Sequence, residues 1–482
     1  MRQESLQNKE PIYQMNASAE GSLYELVARG NKDVFFYSDN SQSTYIFDNT
    51  YDAQTPFLEE VRRVPPKTAS EFGRTVDFDL DLVGDTMKNP AILINLPTWL
   101  PDAQAKFVKQ STIKDAQGFS YGYVQGIAYF LFESISFYQD NILLQEFAGD
   151  TLWALGKITG SYGQGFVYTS QTGGHGGTPV EIGWNAAPPQ LRLEIPLLGY
   201  EPFPQRAATS HTYRIRCKLR KLEDLVESSD PTATTKAYPW DKTMIIKRTS
   251  TDTGTPFTTI RRDHMAPLLL QLETTQVYLE KKVQEAMETT PISVRFNRIY
   301  TNHFTQNQLD YAGVVGGGTS VVNRRLDARH PSGRMTWFFR SMADVNANRL
   351  YKINTPSNSS YYNSLSFLIA GQAREAPRNP LVWRDITNFA KEDCDSGIEL
   401  GTMNWSFGST VQKRFAQPIG TAEGGSVNFT TADKPTLYID LANPTKPGLP
   451  AQTTSTELFV IIEGLCEFKT DGRGRAELLS IN

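Results

Sequence analysis

TVDFDLDL, residues 75–82, alternates with period two: Val76, Phe78, Leu80 and Leu82 take one side of an extended chain, and Asp77, Asp79 and Asp81 the other. That is the pattern of a half-buried β-strand. It lies inside a longer stretch, Gly21 to Pro101, whose other parts have the same character. VFFY (34–37) and STYIF (43–47) are aromatic and β-branched, with the turn-forming SDNSQ between them. EEVRRVPPKTASEFG (59–73) carries a Pro-Pro and reads as a loop, and AILINL (91–96) as a buried strand between prolines.

Working outward, Tyr121 to Gly160 begins as strand and turns helical near Asp150, where Leu152, Leu155 and Ile158 recur at three-residue steps behind an aspartate suited to capping. Residues 159–189 are rich in Gly, Ser and Thr and read as a long loop. LRLEIPLL (191–198) and HTYRIRCKLRKL (211–222) follow as strands. In the second, Arg214, Arg216, Lys218 and Arg220 form a basic face, read as solvated. ESSDPTATTKAY (227–238) loses all periodicity and is the linker candidate.

A second round then begins. LLLQLETTQVYL (268–279) reads as its first strand and EKKVQEAMET (280–289) as a short helix. ISVRFNRIY, GTSVVNRRLDA, RMTWFF, SLSFLIA, TLYIDL and ELFVIIEGLCEF follow as strands. Many short strands with frequent turns, twice over, give an all-β reading: two sandwiches of the Greek-key or jelly-roll kind, divided near residues 230–245. A length of 482 residues accommodates two such domains.

Bulk properties narrow the function. Forty-eight basic residues against 52 acidic leave no excess to neutralise phosphates, so nucleic acid is not expected as a direct partner. The N-terminus lacks an apolar signal-peptide core, and no apolar run reaches spanning length. Cys217, Cys394 and Cys466 stand singly and read as reduced thiols. A metal-dependent double sandwich would need clustered histidines, yet His175, His211, His264, His303 and His330 are never closer than 27 residues. There is no G-x-S-x-G elbow, and the Gly runs lack a P-loop lysine. The expectation is no enzyme, no catalytic, cofactor-binding or metal residues, and no cofactor.

Several segments, in order, resemble the major capsid proteins of nucleocytoplasmic large DNA viruses. GSLYELVARGNKDVFF (21–36), with EFG (71–73) and the GD turn (84–85), is similar to that family's N-terminal signature. YVQGIAYFLFESISFYQDNILLQEFAGDTLWAL (123–155) is similar to its strand pair and helix. LEIPLL with HTYRIRCKLRKLEDLV (211–226) resembles the end of its first jelly roll, and RLDARHPSGRMTWFF (325–339) the His-Pro and Trp segment of its second. QPIGTAEGGSVNFTTAD (417–433) departs from the family's compact pattern, with Ile419 where Ser is expected.

The resemblance implies two tandem eight-stranded jelly-roll β-sandwiches with short helices in the connecting loops. On that reading 1–20 is an arm facing the particle interior, 21–240 the first jelly roll and 241–482 the second. The implied protein is a structural capsid subunit, located in the virion shell and assembled in host cytoplasm. It forms a homotrimer of pseudo-hexagonal outline that tiles an icosahedral shell, meeting neighbouring capsomers, minor capsid and penton proteins, close to an internal membrane. Loops at 159–189, 304–320 and 351–364 would form the outward tower and intersubunit contacts. The rival reading is a carbohydrate-binding β-sandwich, such as a virion attachment lectin, with Trp184, Tyr361 and Tyr362 as sugar platforms.

Overall fold

A computed structural model describes residues 57–105, 112–159, 172–173, 190–305, 320–353, 361–386, 400–405, 425–441 and 456–480. Leu58–Asn482 form one compact unit. The strands VFFY and STYIF, the arm 1–20 and most of the three proposed tower loops lie outside the described residues.

Among the described residues, sixteen strands frame two sandwiches. The first contains β1 (Phe57–Val64), β2 (Thr75–Asp79), β3 (Thr86–Asn95), β4 (Phe132–Gln139), β5 (Ile142–Ala148), β6 (Leu191–Glu194), β7 (Tyr213–Leu219) and β8 (Leu269–Leu279). They form one sheet in the order β1-β8-β3-β6 and another in the order β2-β7-β4-β5. The second contains β9 (Ser293–Phe304), β10 (Ser320–Arg325), β11 (Pro331–Ser341), β12 (Tyr362–Ile369), β13 (Gln372–Arg378), β14 (Gly401–Asn404), β15 (Thr436–Leu441) and β16 (Thr456–Thr470). Its sheets run β9-β16-β11-β14, with Val427–Asn428 added to β11 and Ala476–Ser480 to β16, and β10-β15-β12-β13. Adding eight to every label of the first sandwich gives the second. Each order is that of a jelly roll, so the duplication is one of connectivity.

The alternation in residues 75–82 appears as read: Val76, Phe78 and Leu80 are buried in the first core, and Leu82 packs at its margin. Among the described residues the helices between strands include α1 (Gly149–Thr159), α2 (Lys281–Thr289) and α3 (Met342–Asn346), besides single turns at Asp102–Ala105 and Ile127–Phe130. The first and second fall where the sequence placed them.

Three sequence readings are corrected. Residues 59–64, read as loop, belong to the edge strand β1, whose mixed charges and mostly exposed side chains hide any period. The strand at 269–279 does not open the second half. It pairs antiparallel with β3, from Leu269 opposite Asn95 to Val277 opposite Thr86, and completes the first sandwich. A division at 240/241 would cut off that strand, and the chain passes between sandwiches through α2 instead. Nor does 227–238 link them, because it lies in the long connection from β7 to β8. There Val226–Ser228 pairs with Tyr121–Tyr123, and Thr243–Lys247 pairs with both Thr112–Asp115 and Thr255–Thr258.

The second core is centred on Trp337, which meets Trp383 edge-on at 5.9 Å and 76°. Gly401 lies directly across from Trp337 in the β11–β14 register, and a Cβ there would fall 2.3 Å from the indole. The Trp383 indole N–H in turn donates to the Leu365 carbonyl at 3.0 Å, so the ring pair has little room to retreat. Gly401→Ala is expected to lower stability by about 1–3 kcal/mol through overpacking. Thermal unfolding measures this, and an unchanged midpoint would contradict the packing described.

Candidate functional site

The two sandwiches meet on the outer face of sheet β9-β16-β11-β14. Phe296, Ile299, Phe338, Phe459 and Ile461 from that face join the hydrophobic cluster of the first sandwich, not the second. Helix α1 is the element set against it. Thr151 meets Thr301 of β9 hydroxyl to hydroxyl at 2.8 Å. Trp153 stands edge-on to Phe338 at 5.9 Å, and Phe338 stacks flat on Phe459 at 5.0 Å and 7°.

Within this apolar contact sits a neutralised set of charges. Arg340 of β11 donates to Asp150 of α1 at 2.6 Å, to Glu457 of β16 at 2.7 Å, and to the Leu350 carbonyl at 3.1 Å. Arg220, just past β7, also pairs with Asp150. His303 of β9 places Nε2 2.9 Å from Glu457 and stacks on Phe459 at 4.2 Å. Two guanidinium groups thus face two carboxylates, with the histidine at the rim. Burial would raise the Asp150 carboxyl, but Arg340 and Arg220 outweigh it and hold it down at about 2. Glu457 is likewise opposed by burial and held below its usual range by His303 and Arg340. Next along the same face, Arg334 donates to Glu463 at 2.6 Å with both side chains almost wholly buried.

Asp150 lies in the first turn of α1. Its carboxylate spans the junction between sandwiches. Further ties flank it: Gln139 Nε2 donates to the Ala476 carbonyl at 2.7 Å, and the Ser210 N–H to the Gly474 carbonyl at 2.9 Å.

The basic face of β7, read as solvated, is largely neutralised within the protein. Arg216 grips Asp77 through two hydrogen bonds of 2.8 and 3.1 Å, because β2 and β7 are neighbours with these residues in register. Lys218 pairs with Glu133 at 2.6 Å, and Arg214 lies over the Tyr138 ring. Asp79 pairs with Lys67. Two alternating strands read separately are one charge-matched pair, which a search for opposite signs at equal period could have found.

The histidines are dispersed. His211 contacts Asp140 at 2.8 Å, His264 is exposed beside Asp263, His330 is buried, and His175 lies outside the described residues. Among the described residues no group of three or more His, Cys, Asp or Glu could hold a metal ion. Cys217 and Cys466 are buried free thiols, both pushed up by burial, Cys466 to about 12; Cys394 lies outside the described residues. Of the supposed sugar platforms, Tyr361 and Tyr362 stack on Phe339 at 5.8 and 5.5 Å, so they pack the second sandwich, and Trp184 lies outside the described residues.

The site so described is a rigid, charge-matched joint between two jelly rolls, and comparison with solved structures finds the same doubled architecture. VP54 of PBCV-1, as fitted into a reconstruction of the virophage Sputnik, aligns with a TM-score of 0.65 over 91% of this chain and 100% of its own, at 12% identity. This is the fold of viral major capsid proteins. The Faustovirus major capsid protein aligns at 0.55 over 97% of this chain and 99% of its own, at 9% identity. The Sputnik virophage structure gives 0.54 over 92% and 91%, also at 9% identity. No family model and no curated protein matches the sequence. At these identities the capsid-protein fold is kept by burial pattern and strand order.

Arg340→Met tests the joint. Removing the arginine leaves Asp150 with Arg220 alone and Glu457 with His303 alone in an apolar contact, and a loss of about 3–5 kcal/mol is expected in urea unfolding at pH 7. The pH dependence has a definite sign. A carboxyl depressed when folded stabilises above its usual value of 3.8 and loses that contribution as pH falls toward 2. The deficit of the variant should therefore shrink below pH 4, and a constant deficit would contradict this assignment.

Proposed function

We propose that this chain is the major capsid protein of a large DNA virus, a structural subunit whose working surface is its exterior. The doubled jelly roll, alike over nine-tenths of the chain to PBCV-1 VP54, carries the reading. Two similar sandwiches per chain and three chains about an axis place six wedges in a ring, a pseudo-hexagonal block able to tile a shell through closing heterologous contacts. The buried joint supports this role, because wedges that turned freely on one another could not keep a fixed outline.

Edge strand β1 has features suited to a subunit contact. Phe57, Leu58 and Val61 are each more than half exposed. The opposite sandwich ends its own sheet with β13, QAREAPR, where charges and a proline discourage open-ended strand pairing. In this proposal the arm 1–20 faces the particle interior toward minor capsid proteins and a lipid layer. The long loops at 159–189, 304–320 and 351–364 face outward and between subunits, and the protein assembles in host cytoplasm into the virion shell.

Light scattering at micromolar concentration should return three times the chain mass of 54.0 kDa. A mass of one chain would overturn the trimer. Leu58→Lys combined with Val61→Lys should lower the trimer fraction at least tenfold while leaving the monomer's thermal unfolding nearly unchanged, since both side chains are exposed. An unaltered trimer would remove β1 from the contact.

A further inference from the structure

Beside the Arg340 joint, which reaches this region through the Leu350 carbonyl, a second set of contacts holds the sandwiches together. The segment 223–231, on the connection from β7 to β8, meets residues 344–352, which follow β11. Asn348 donates to the carbonyls of Glu223 at 2.6 Å and Val226 at 2.7 Å. The Arg349 guanidinium reaches the carbonyls of Asp230 and Pro231, and lies 3.6 Å from Asp344.

Glu227 is at the centre of this contact. Only 4% of it is exposed. Tyr351 donates its hydroxyl to Oε1 at 2.9 Å, while Oε2 is buried with no hydrogen-bond partner among the described residues. The strand paired with it, Tyr121–Tyr123, places Gly122 opposite and contributes only tyrosines as titratable groups. From the second sandwich the facing groups are Arg349 and Lys352, which favour the ionised carboxyl, and Asp344 with Tyr351. Arg349 is already committed to two carbonyls. An ionised Glu227 would therefore leave one oxygen bearing charge with nothing to solvate it.

We infer that Glu227 is a proton-operated clasp between the two sandwiches: protonated, it lets segment 223–231 seat on 344–352, and ionised, it loosens that seat. Burial raises the carboxyl to about 7, against the pull of Tyr351, Arg349 and Lys352, so the device works near neutrality. For an acid strengthened in its proton hold by folding, the stabilisation is complete below the usual value of 4.5 and is lost as pH rises through about 7. The clasp is therefore tight in mild acid and slack in mild base. This is the opposite sense to Asp150, whose contribution is lost only in strong acid. Both sides of the clasp belong to one chain, so it operates in any state of assembly.

Hydrogen exchange, corrected for intrinsic rates, tests the clasp in the full-length protein at pH 5 and pH 8. Protection within 223–231 and 344–352 should fall by roughly 50- to 100-fold between those pH values, with strands β4 and β12 changing little. Glu227→Gln, which keeps the shape of the protonated acid, should hold protection at the pH 5 level throughout. Equal protection at both pH values in the wild type would overturn the inference. So would the same loss in Glu227→Gln, or failure of that variant to fold at pH 8, where a permanently neutral side chain should be an advantage. Tyr351→Phe removes the donor to the carboxyl and should weaken protection at pH 8 more than at pH 5; the reverse order would also count against it.

Discussion

Sheet β9-β16-β11-β14 is covered on both faces, and much of the molecule follows from that constraint. One face fills the interior of the second sandwich around Trp337, and the other presses on the first sandwich through α1. The central strands β11 and β16 have no solvent side, so they cannot alternate, whereas edge strand β9 keeps exposed positions such as Thr301 and His303. β16 accordingly runs TELFVIIEGLC with every residue buried, and β11 is buried from Ser332 to Ser341. Such continuous burial is more familiar in parallel sheets under helices, yet here the strands are antiparallel.

The same constraint explains the charges. Any polar residue in these strands must be satisfied where it stands, because water cannot reach it. Arg334 finds Glu463 in the neighbouring strand, and Arg340 finds Glu457 in the neighbouring strand and Asp150 across the junction. Such pairs contribute little net stability compared with well-packed apolar groups. Their effect here is geometric: Arg340 can satisfy both carboxylates only when α1 sits in one position on the sheet. The angle between the sandwiches is thereby set by side chains contributed from both.

The sequence showed most strands, because alternation and apolar runs are local properties. It located β2, β7 and the strands at 436–441 and 457–468, and it located α1 and α2. Edge strands β1 and β13 were illegible for a common reason: exposed on most positions and rich in charge, they lack the burial pattern that makes a strand visible. Partnership was also illegible. Nothing within LLLQLETTQVYL distinguishes a strand that starts a second sandwich from one that completes the first, since β8 pairs with β3 across almost two hundred residues of chain. The junction residues were hidden in the same way. Asp150, Arg220, Arg340 and Glu457 are widely separated, and each has an ordinary local reading as a cap, a solvated base or a strand end. The resemblance to capsid proteins supplied the doubled topology that periodicity alone left as two similar halves.

The central claim is that two jelly rolls locked at one angle serve as paired wedges of a larger ring. Electron microscopy of the purified protein addresses it most directly, because outline and symmetry are read from the same images. The account predicts threefold particles with a hexagonal outline, in which six sandwich-sized densities alternate between two slightly different shapes. Single two-lobed particles with a variable angle between the lobes would contradict both the locked joint and the ring.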